Sequence, residues 1–98
     1  MSTPTATTWW VEVFLGETDG VASASARLHT PSRTTIEGRG TASVNPHDRD
    51  VPEVGYELAT ARALAQLAHH LFETAAVDIS DITGEPVTPA ELEATRPS

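Results

Sequence analysis

The chain has 98 residues, with fourteen acidic side chains against six arginines and no lysine, so its formal net charge is −8. A chain of this length folds as one domain with a modest core, and a strongly acidic surface repels phosphate backbones. The absence of cysteine excludes disulfides, thiolate zinc sites and thiol nucleophiles. No signal peptide is visible, and no apolar run approaches the roughly 18 residues of a membrane span, so we expect a cytoplasmic protein with no membrane contact.

The first half of the chain predicts three strands. Residues 1–7 are rich in Ser, Thr and Pro and predict a disordered tail. Residues 8–16 alternate between the two faces of a strand, and the Asp19-Gly20 pair after them predicts a tight hairpin. Residues 21–29 and 34–44 alternate in the same way, although the alanine content of the former is also compatible with a helix.

Small residues share one face of the second and third predicted strands. They are Ala22, Ala24, Ala26, Gly38 and Gly40. Glycines within a strand usually mark the close approach of another element. We therefore expect a shallow trough in which a helix lies low on the sheet.

Residues 52–76 predict that helix. Asp50 is the expected cap, and Pro52 and Glu53 suit the first turn. Apolar side chains at three- and four-residue steps predict a stripe that packs on the sheet. The stripe comprises Leu58, Ala61, Leu64, Ala65, Leu67, Ala68, Leu71, Phe72 and Ala75.

The end of the chain predicts a loop and a short helix. Residues 78–86 predict the loop, and a capping box with Thr88 as cap and Glu91 three residues later starts a marginal helix within a C-terminal tail, residues 89–98. The fold class is therefore α+β. A three-stranded antiparallel sheet packs on one long helix in the order β-β-β-α, and the domain covers residues 8–88.

No residue pattern indicates catalysis, a cofactor or a small-molecule substrate. His69 and His70 are adjacent in a predicted helix and point about 100° apart, and only Glu73 lies four residues from His69. One histidine and one carboxylate do not complete a zinc site. No serine lies in a nucleophile motif. We expect no enzyme activity and no metal.

Two features of the predicted outer sheet face indicate binding. Trp10 and Phe14 point away from the helix, where they provide a dimer face, a stacking platform for bases or scattered surface residues. Arg27 and Arg39 lie on neighbouring strands, and Arg33 lies near the turn between them, so the three form a candidate anion or RNA contact. The alternative is that Glu37 pairs with Arg27 across the ladder and neutralises much of the patch.

Four sequence blocks resemble a small actinobacterial family of unknown function. They are ASARL (24–28), GRGTASVNPHD (38–48), VPEVGYELATARALAQL (51–67) and LFETAAVDI (71–79). That family is described as having a double-stranded-RNA-binding-domain-like (dsRBD-like) fold, and it includes stress- and dormancy-associated mycobacterial proteins likened to ribosome hibernation promoting factors. The resemblance implies a β-β-β-α core, a homodimer, no known enzyme activity and no cofactor. Ser23 and Ser25 stand where basic residues are common in that family.

Two hypotheses follow from these observations. The first is a stress-linked protein associated with the ribosome or RNA, which predicts a salt-sensitive contact through the arginines. The second is a dimeric protein–protein interaction module that binds no nucleic acid, which the net charge of −8 favours.

Overall fold

The computed structural model describes residues 5–32, 35–43 and 52–94. Three strands, β1 (Trp10–Thr18), β2 (Val21–His29) and β3 (Ile36–Ser43), are followed by the long helix α1 (Pro52–Thr83) and the short helix α2 (Pro89–Ala94). The strands form one antiparallel sheet in the order β1-β2-β3. The predicted fold class is confirmed.

The β1–β2 hairpin closes through the predicted turn. Asp19 and Gly20 both adopt positive φ, at 50° and 77°. Two successive positive φ values are typical of the hairpin turn that matches the twist of the flanking strands. This turn sets the register, in which Val11 lies opposite Leu28 and Phe14 lies opposite Ser25.

The core lies between α1 and the two strands β2 and β3. Its buried side chains are Ala22, Ala24, Ala26, Leu28, Ala42, Ala59, Ala63 and Leu67. Gly38 and Gly40 lie directly beneath the helix. A Cβ atom at Gly38 would lie 2.8 Å from the Leu67 Cα, and one at Gly40 would lie 2.5 Å from the Ala63 backbone nitrogen. The predicted trough is therefore confirmed, and the backbone of α1 lies in it.

The predicted apolar stripe of α1 is wrong over much of its length. Ala59 and Ala63 face the sheet, whereas Leu58 and Leu64 are exposed, as are Ala61, Ala65 and Ala68. Only Leu67 of the predicted stripe is fully buried. The glycine trough lets the backbone approach so closely that small side chains occupy the contact, and the larger leucines are displaced to the flank and the back of the helix.

The predicted loop at residues 78–86 is also wrong in its first half. Helix α1 continues to Thr83, and Gly84 ends it with φ of 74° and a backbone hydrogen bond to Ser80 O of 2.9 Å. This is a glycine C-cap. The predicted cap of α2 at Thr88 is confirmed, since the Glu91 N–H donates to the Thr88 hydroxyl at 3.2 Å. The predicted cap at Asp50 lies outside the described residues.

Candidate interaction surface

The outer face of the sheet, turned away from α1, brings the predicted binding residues together. In the register of the three strands, Glu12, Arg27 and Glu37 form one row across the sheet. Phe14, Ser25 and Arg39 form the next row. Because paired residues in an antiparallel sheet point to the same face, all six side chains share the outer face. The sequence placed Arg27, Arg39 and Phe14 there correctly.

Glu37 lies between the two arginines. Its carboxylate is 3.6 Å from the Arg27 guanidinium, and it accepts a hydrogen bond from Arg39 Nε at 3.2 Å. The Ser25 hydroxyl donates to the same carboxylate. The Ser25 hydrogen bond, followed by that from Arg39, lowers the pKa of Glu37 below its usual value. The carboxylate therefore stays ionised and offsets one of the two positive charges.

Arg27 contacts an aromatic ring as well as a carboxylate. Its guanidinium carbon lies 5.7 Å from the centre of the Phe14 ring, which is within cation–π range. Its Nε–H has no hydrogen-bond partner among the described residues. Phe14 is nevertheless 49% exposed, so most of the ring remains available to a partner.

Trp10 belongs to a second aromatic contact at the end of the same face. Its ring stacks on His29 with the ring centres 5.6 Å apart. His29 Nε2 lies 3.0 Å from a Glu12 carboxylate oxygen. Trp10 remains 59% exposed. The aromatic residues and the two arginines therefore form one surface, which we call the outer-face patch: Trp10, Phe14, Arg27, His29, Glu37 and Arg39.

Arg33, the third predicted anion-contact residue, lies outside the described residues. The described part of the outer face therefore carries two arginines and two carboxylates, that of Glu37 within the patch and that of Glu12 beside it.

A row of polar residues on α1 was not recognised as functional from the sequence. The Arg62 guanidinium donates to Thr41 O at 2.7 Å, and the Gln66 side-chain oxygen accepts from the Arg39 N–H at 2.6 Å. His70 Nδ1 lies 2.7 Å from Glu37 O. These contacts satisfy three backbone groups on the free edge of β3 and make that edge less accessible to another strand. The four-residue spacing of Arg62, Gln66 and His70 was the sequence signal that could have identified this row.

The helix side of β1 is a second surface that the sequence did not reveal. Helix α1 lies over β2 and β3 and barely contacts β1. Val11 is 41% exposed and Leu15 is 51% exposed on that side, and Leu64 of α1 is 42% exposed. The side of β1 that was expected to pack under the helix is therefore largely uncovered.

Residues 5–32, 35–43 and 52–94 were compared with the geometry of metal clusters and the length of membrane-spanning helices. No group of three His, Cys, Asp or Glu side chains there is arranged to hold a metal ion. His69 contacts Glu73 at 3.4 Å on the exposed side of α1. No helix in the described part of the chain is long and apolar enough to cross a membrane.

Comparison with known proteins decides the family. A family model described as Rv2632c-like matches residues 7–88. The chain belongs to the Rv2632c-like family. The uncharacterized protein Rv2632c of Mycobacterium tuberculosis (strain ATCC 25618 / H37Rv) is 41% identical over 78 residues, which are 80% of this chain and 83% of that protein. The uncharacterized protein Mb1767 of Mycobacterium bovis is 38% identical over 78 residues, covering 80% of this chain and 82% of the relative.

A solved structure supports the same assignment. The crystal structure of Rv2632c superposes with a TM-score of 0.77 at 36% sequence identity, covering 87% of this chain and all of that chain. The β-β-β-α architecture is therefore shared with the family. The Rv2632c-like relatives are named as uncharacterized proteins, so the family membership specifies a fold and leaves the activity to be argued from the surface.

Proposed function

We propose that this chain is a non-catalytic protein–protein interaction module that forms a homodimer through its outer-face patch. The observation that carries the proposal is the exposure of Trp10 and Phe14 on a sheet face that α1 leaves uncovered. Aromatic residues and arginine are enriched at the centres of protein interfaces.

The charges of the patch support a protein partner more than a nucleic acid. Arg27 and Arg39 both contact Glu37, which is ionised at neutral pH, and its lowered pKa reflects these favourable contacts. A phosphate approaching either arginine meets this carboxylate and then Glu12. A protein surface that offers its own mixture of polar and apolar groups meets no such repulsion.

The test is the concentration dependence of the molecular mass. Light scattering at about 100 µM should give the mass of a dimer, since standard interfaces of this kind have dissociation constants in or below the micromolar range. Trp10→Ala should weaken the dimer at least about tenfold if Trp10 is an interface anchor. Trp9→Ala is the matched control, because Trp9 is 55% exposed, close to the 59% of Trp10, but lies outside the strand. A monomer at this concentration contradicts the proposal.

The second candidate function is that of a stress-linked protein that associates with the ribosome or RNA. The Arg39 side chain is 78% exposed, and exposed ion pairs such as that with Glu37 are weak enough for a phosphate to compete. The stacked Trp10–His29 pair also provides an aromatic surface on which a base can stack. The resemblance to a family described as dsRBD-like and likened to hibernation factors supports this candidate.

Co-sedimentation with ribosomes at low and high salt tests the second candidate. Two phosphate contacts predict that log K falls with log salt at a slope of about −2. Arg27→Glu combined with Arg39→Glu should abolish the co-sedimentation. Arg62→Glu is the matched charge-reversal control on α1, away from the outer face. Absence of co-sedimentation at low salt leaves only the protein–protein function.

A further inference from the structure

The two edges of the sheet differ in how their backbone groups are satisfied. On β3, the side chains of Arg62, Gln66 and His70 contact the outward backbone groups. On β1, no side chain among the described residues hydrogen-bonds to an outward backbone group. Within the described residues, side chains of α1 therefore cover part of the β3 edge, and they leave the β1 edge open.

The β3 contacts also show which backbone groups of β1 point outward. Glu37, Arg39 and Thr41 direct their backbone groups to the free edge of β3, so the alternate residues of β3, such as Gly38 and Gly40, bond to β2. The same alternation continues through β2 to β1 in the observed register. The backbone groups of residues 10, 12, 14, 16 and 18 of β1 therefore bond to β2. Val11, Val13, Leu15 and Glu17 therefore direct their N–H and C=O groups to the open edge.

The side chains beside the open edge are apolar and acidic. Val11, Val13 and Leu15 point to the helix side, where Leu64 stands on the flank of α1 opposite the Arg62–Gln66–His70 row. The charged residues of β1 are Glu12 on the outer face and Glu17 on the helix side, and β1 contains no Arg or Lys.

We propose that the open edge of β1 binds an extended segment of another protein as a fourth strand of the sheet, and that this segment alternates apolar residues with Lys or Arg. Its apolar side chains lie on the helix side against Val11, Val13 and Leu15. Its cationic side chains lie on the outer face near Glu12. Backbone hydrogen bonds to the edge supply affinity, and the alternation supplies specificity.

Charge argues for this occupant over a second copy of the chain. Two β1 strands paired edge to edge place two copies each of Glu12 and Glu17 along one pair of strands, and neither strand contains an Arg or Lys. Like charges on adjacent strands are destabilising. A basic segment instead gains from the acidic edge and from the net charge of −8. This site adjoins the outer-face patch at Glu12 but uses the backbone and the helix side of β1, and it stands whether or not the homodimer forms.

The test uses a defined peptide and the isotope-labelled full chain. The peptide has seven residues that alternate valine and lysine, with acetylated and amidated ends. At saturation, hydrogen exchange at the amides of residues 11, 13 and 15 should slow by at least about tenfold, because these N–H groups become hydrogen-bonded. The amides that already bond to β2 should change less. A matched peptide with glutamate in place of lysine should bind at least about tenfold more weakly.

Two substitutions at one position separate the backbone contribution from the apolar one. Both substitutions remove the apolar side chain of Leu15. Leu15→Pro also removes the outward N–H, at a position where an edge strand tolerates proline, whereas Leu15→Thr keeps that N–H. The proline variant should bind the peptide about tenfold more weakly than the threonine variant. Circular dichroism should show that both variants fold, and if Leu15→Pro does not, the exchange pattern of the unmodified chain decides.

Three outcomes overturn the proposal. The first is the absence of peptide binding at about 1 mM, which is the affinity range of weak recognition. The second is binding that perturbs Trp10 and Phe14 and leaves exchange at residues 11, 13 and 15 unchanged. The third is edge protection in the free protein that grows with its concentration, which identifies a second copy as the occupant. Trp10→Ala should leave peptide binding intact, so a failed outer-face dimer is distinguished from a failed edge site.

Discussion

Gly38 and Gly40 determine how closely α1 approaches the sheet. Each glycine lies beneath helix backbone, so that a Cβ at either position would overlap residues of α1. Neither residue needs a positive φ, and the requirement for glycine is therefore one of space alone. The core consists mainly of alanine because the helix sits so low that larger side chains do not fit beneath it.

The first prediction concerns this close approach. Gly38→Ala should destabilise the protein by about 1–3 kcal/mol, as expected for overpacking against a backbone that has to move. Gly16→Ala is the matched control, since its Cβ would lie 3.4 Å from the Ser23 hydroxyl and meet no other atom within 4 Å. The control should change stability by no more than about 0.5 kcal/mol. Urea unfolding of both variants gives the comparison, and equal effects contradict the account.

Glu37 provides a second prediction at the residue scale. Its pKa is lowered by the Ser25 hydrogen bond and then by Arg39, so the folded state binds this proton less readily than the unfolded state. The stabilisation is therefore present at neutral pH and is lost as the pH falls through the usual value of 4.5 and below.

Glu37→Gln should flatten the pH dependence of the unfolding free energy in this acidic range. Ser25→Ala should flatten it in part, because it removes the largest cause of the shift. The effect is modest, since the Glu37 side chain is partly exposed and solvent screens its interactions. Unfolding curves between about pH 3 and 6 provide the measurement. A pH dependence identical to that of the unmodified protein would show that the carboxylate has no net preference for the folded state.

At the scale of elements, period-two alternation and the Asp19-Gly20 turn were sufficient to predict all three strands and their faces. The same alternation placed Arg27 beside Glu37, and the structure confirms that pair. Sequence could not predict the face of α1 that packs on the sheet. Apolar side chains nearly surround this helix, and the choice among them depends on the depth of the trough, which is a property of two distant strands.

The extra turns of α1 and the uncovered side of β1 were missed for related reasons. Ile79 and Ile82 continue the three- and four-residue spacing of Phe72 and Ala75, but both are exposed, so this spacing does not correspond to a face that packs on the sheet. The helix lies over β2 and β3 because their glycines and alanines make the trough there. The bulkier Val11, Val13 and Leu15 keep it away from β1. The position of a helix across a sheet depends on packing between distant residues and cannot be predicted from local sequence patterns.

The third prediction tests the observed face of α1. Leu67→Ala should cost about 2–5 kcal/mol, because Leu67 is only 3% exposed and its truncation leaves a cavity. Leu64→Ala is the matched control on the same helix, and it should cost less than about 1 kcal/mol because Leu64 is 42% exposed. Leu71 is partly buried, so the stability loss of Leu71→Ala should lie between those of the other two variants. Equal losses at residues 64 and 67 would contradict this orientation of the helix.

At the scale of the whole molecule, charge and apolar exposure act in opposite directions. The net charge of −8 makes two copies repel one another at long range. The exposed Trp10, Phe14, Val11 and Leu15 favour association at short range. Arg27 and Arg39 lie on the outer face, where both contact Glu37 and one of their two positive charges is offset. The salt dependence of binding therefore distinguishes the candidate partners. Salt screens the repulsion between two copies and also screens the attraction to a partner of opposite charge.

The last prediction is the sign of the salt dependence. Raising the salt from about 20 mM to about 200 mM should strengthen homodimer formation, because the Debye length shortens and the repulsion between two acidic chains is screened. The same change should weaken any contact with ribosomal phosphate, because that contact depends on counterion release. Binding of the basic peptide at the β1 edge should also weaken, but less than a purely electrostatic contact, since backbone hydrogen bonds carry part of its affinity. Sedimentation velocity across the salt series measures the first two effects, and peptide titration measures the third. A homodimer that dissociates as salt rises would show that attraction between opposite charges, and not the aromatic outer face, holds the two copies together.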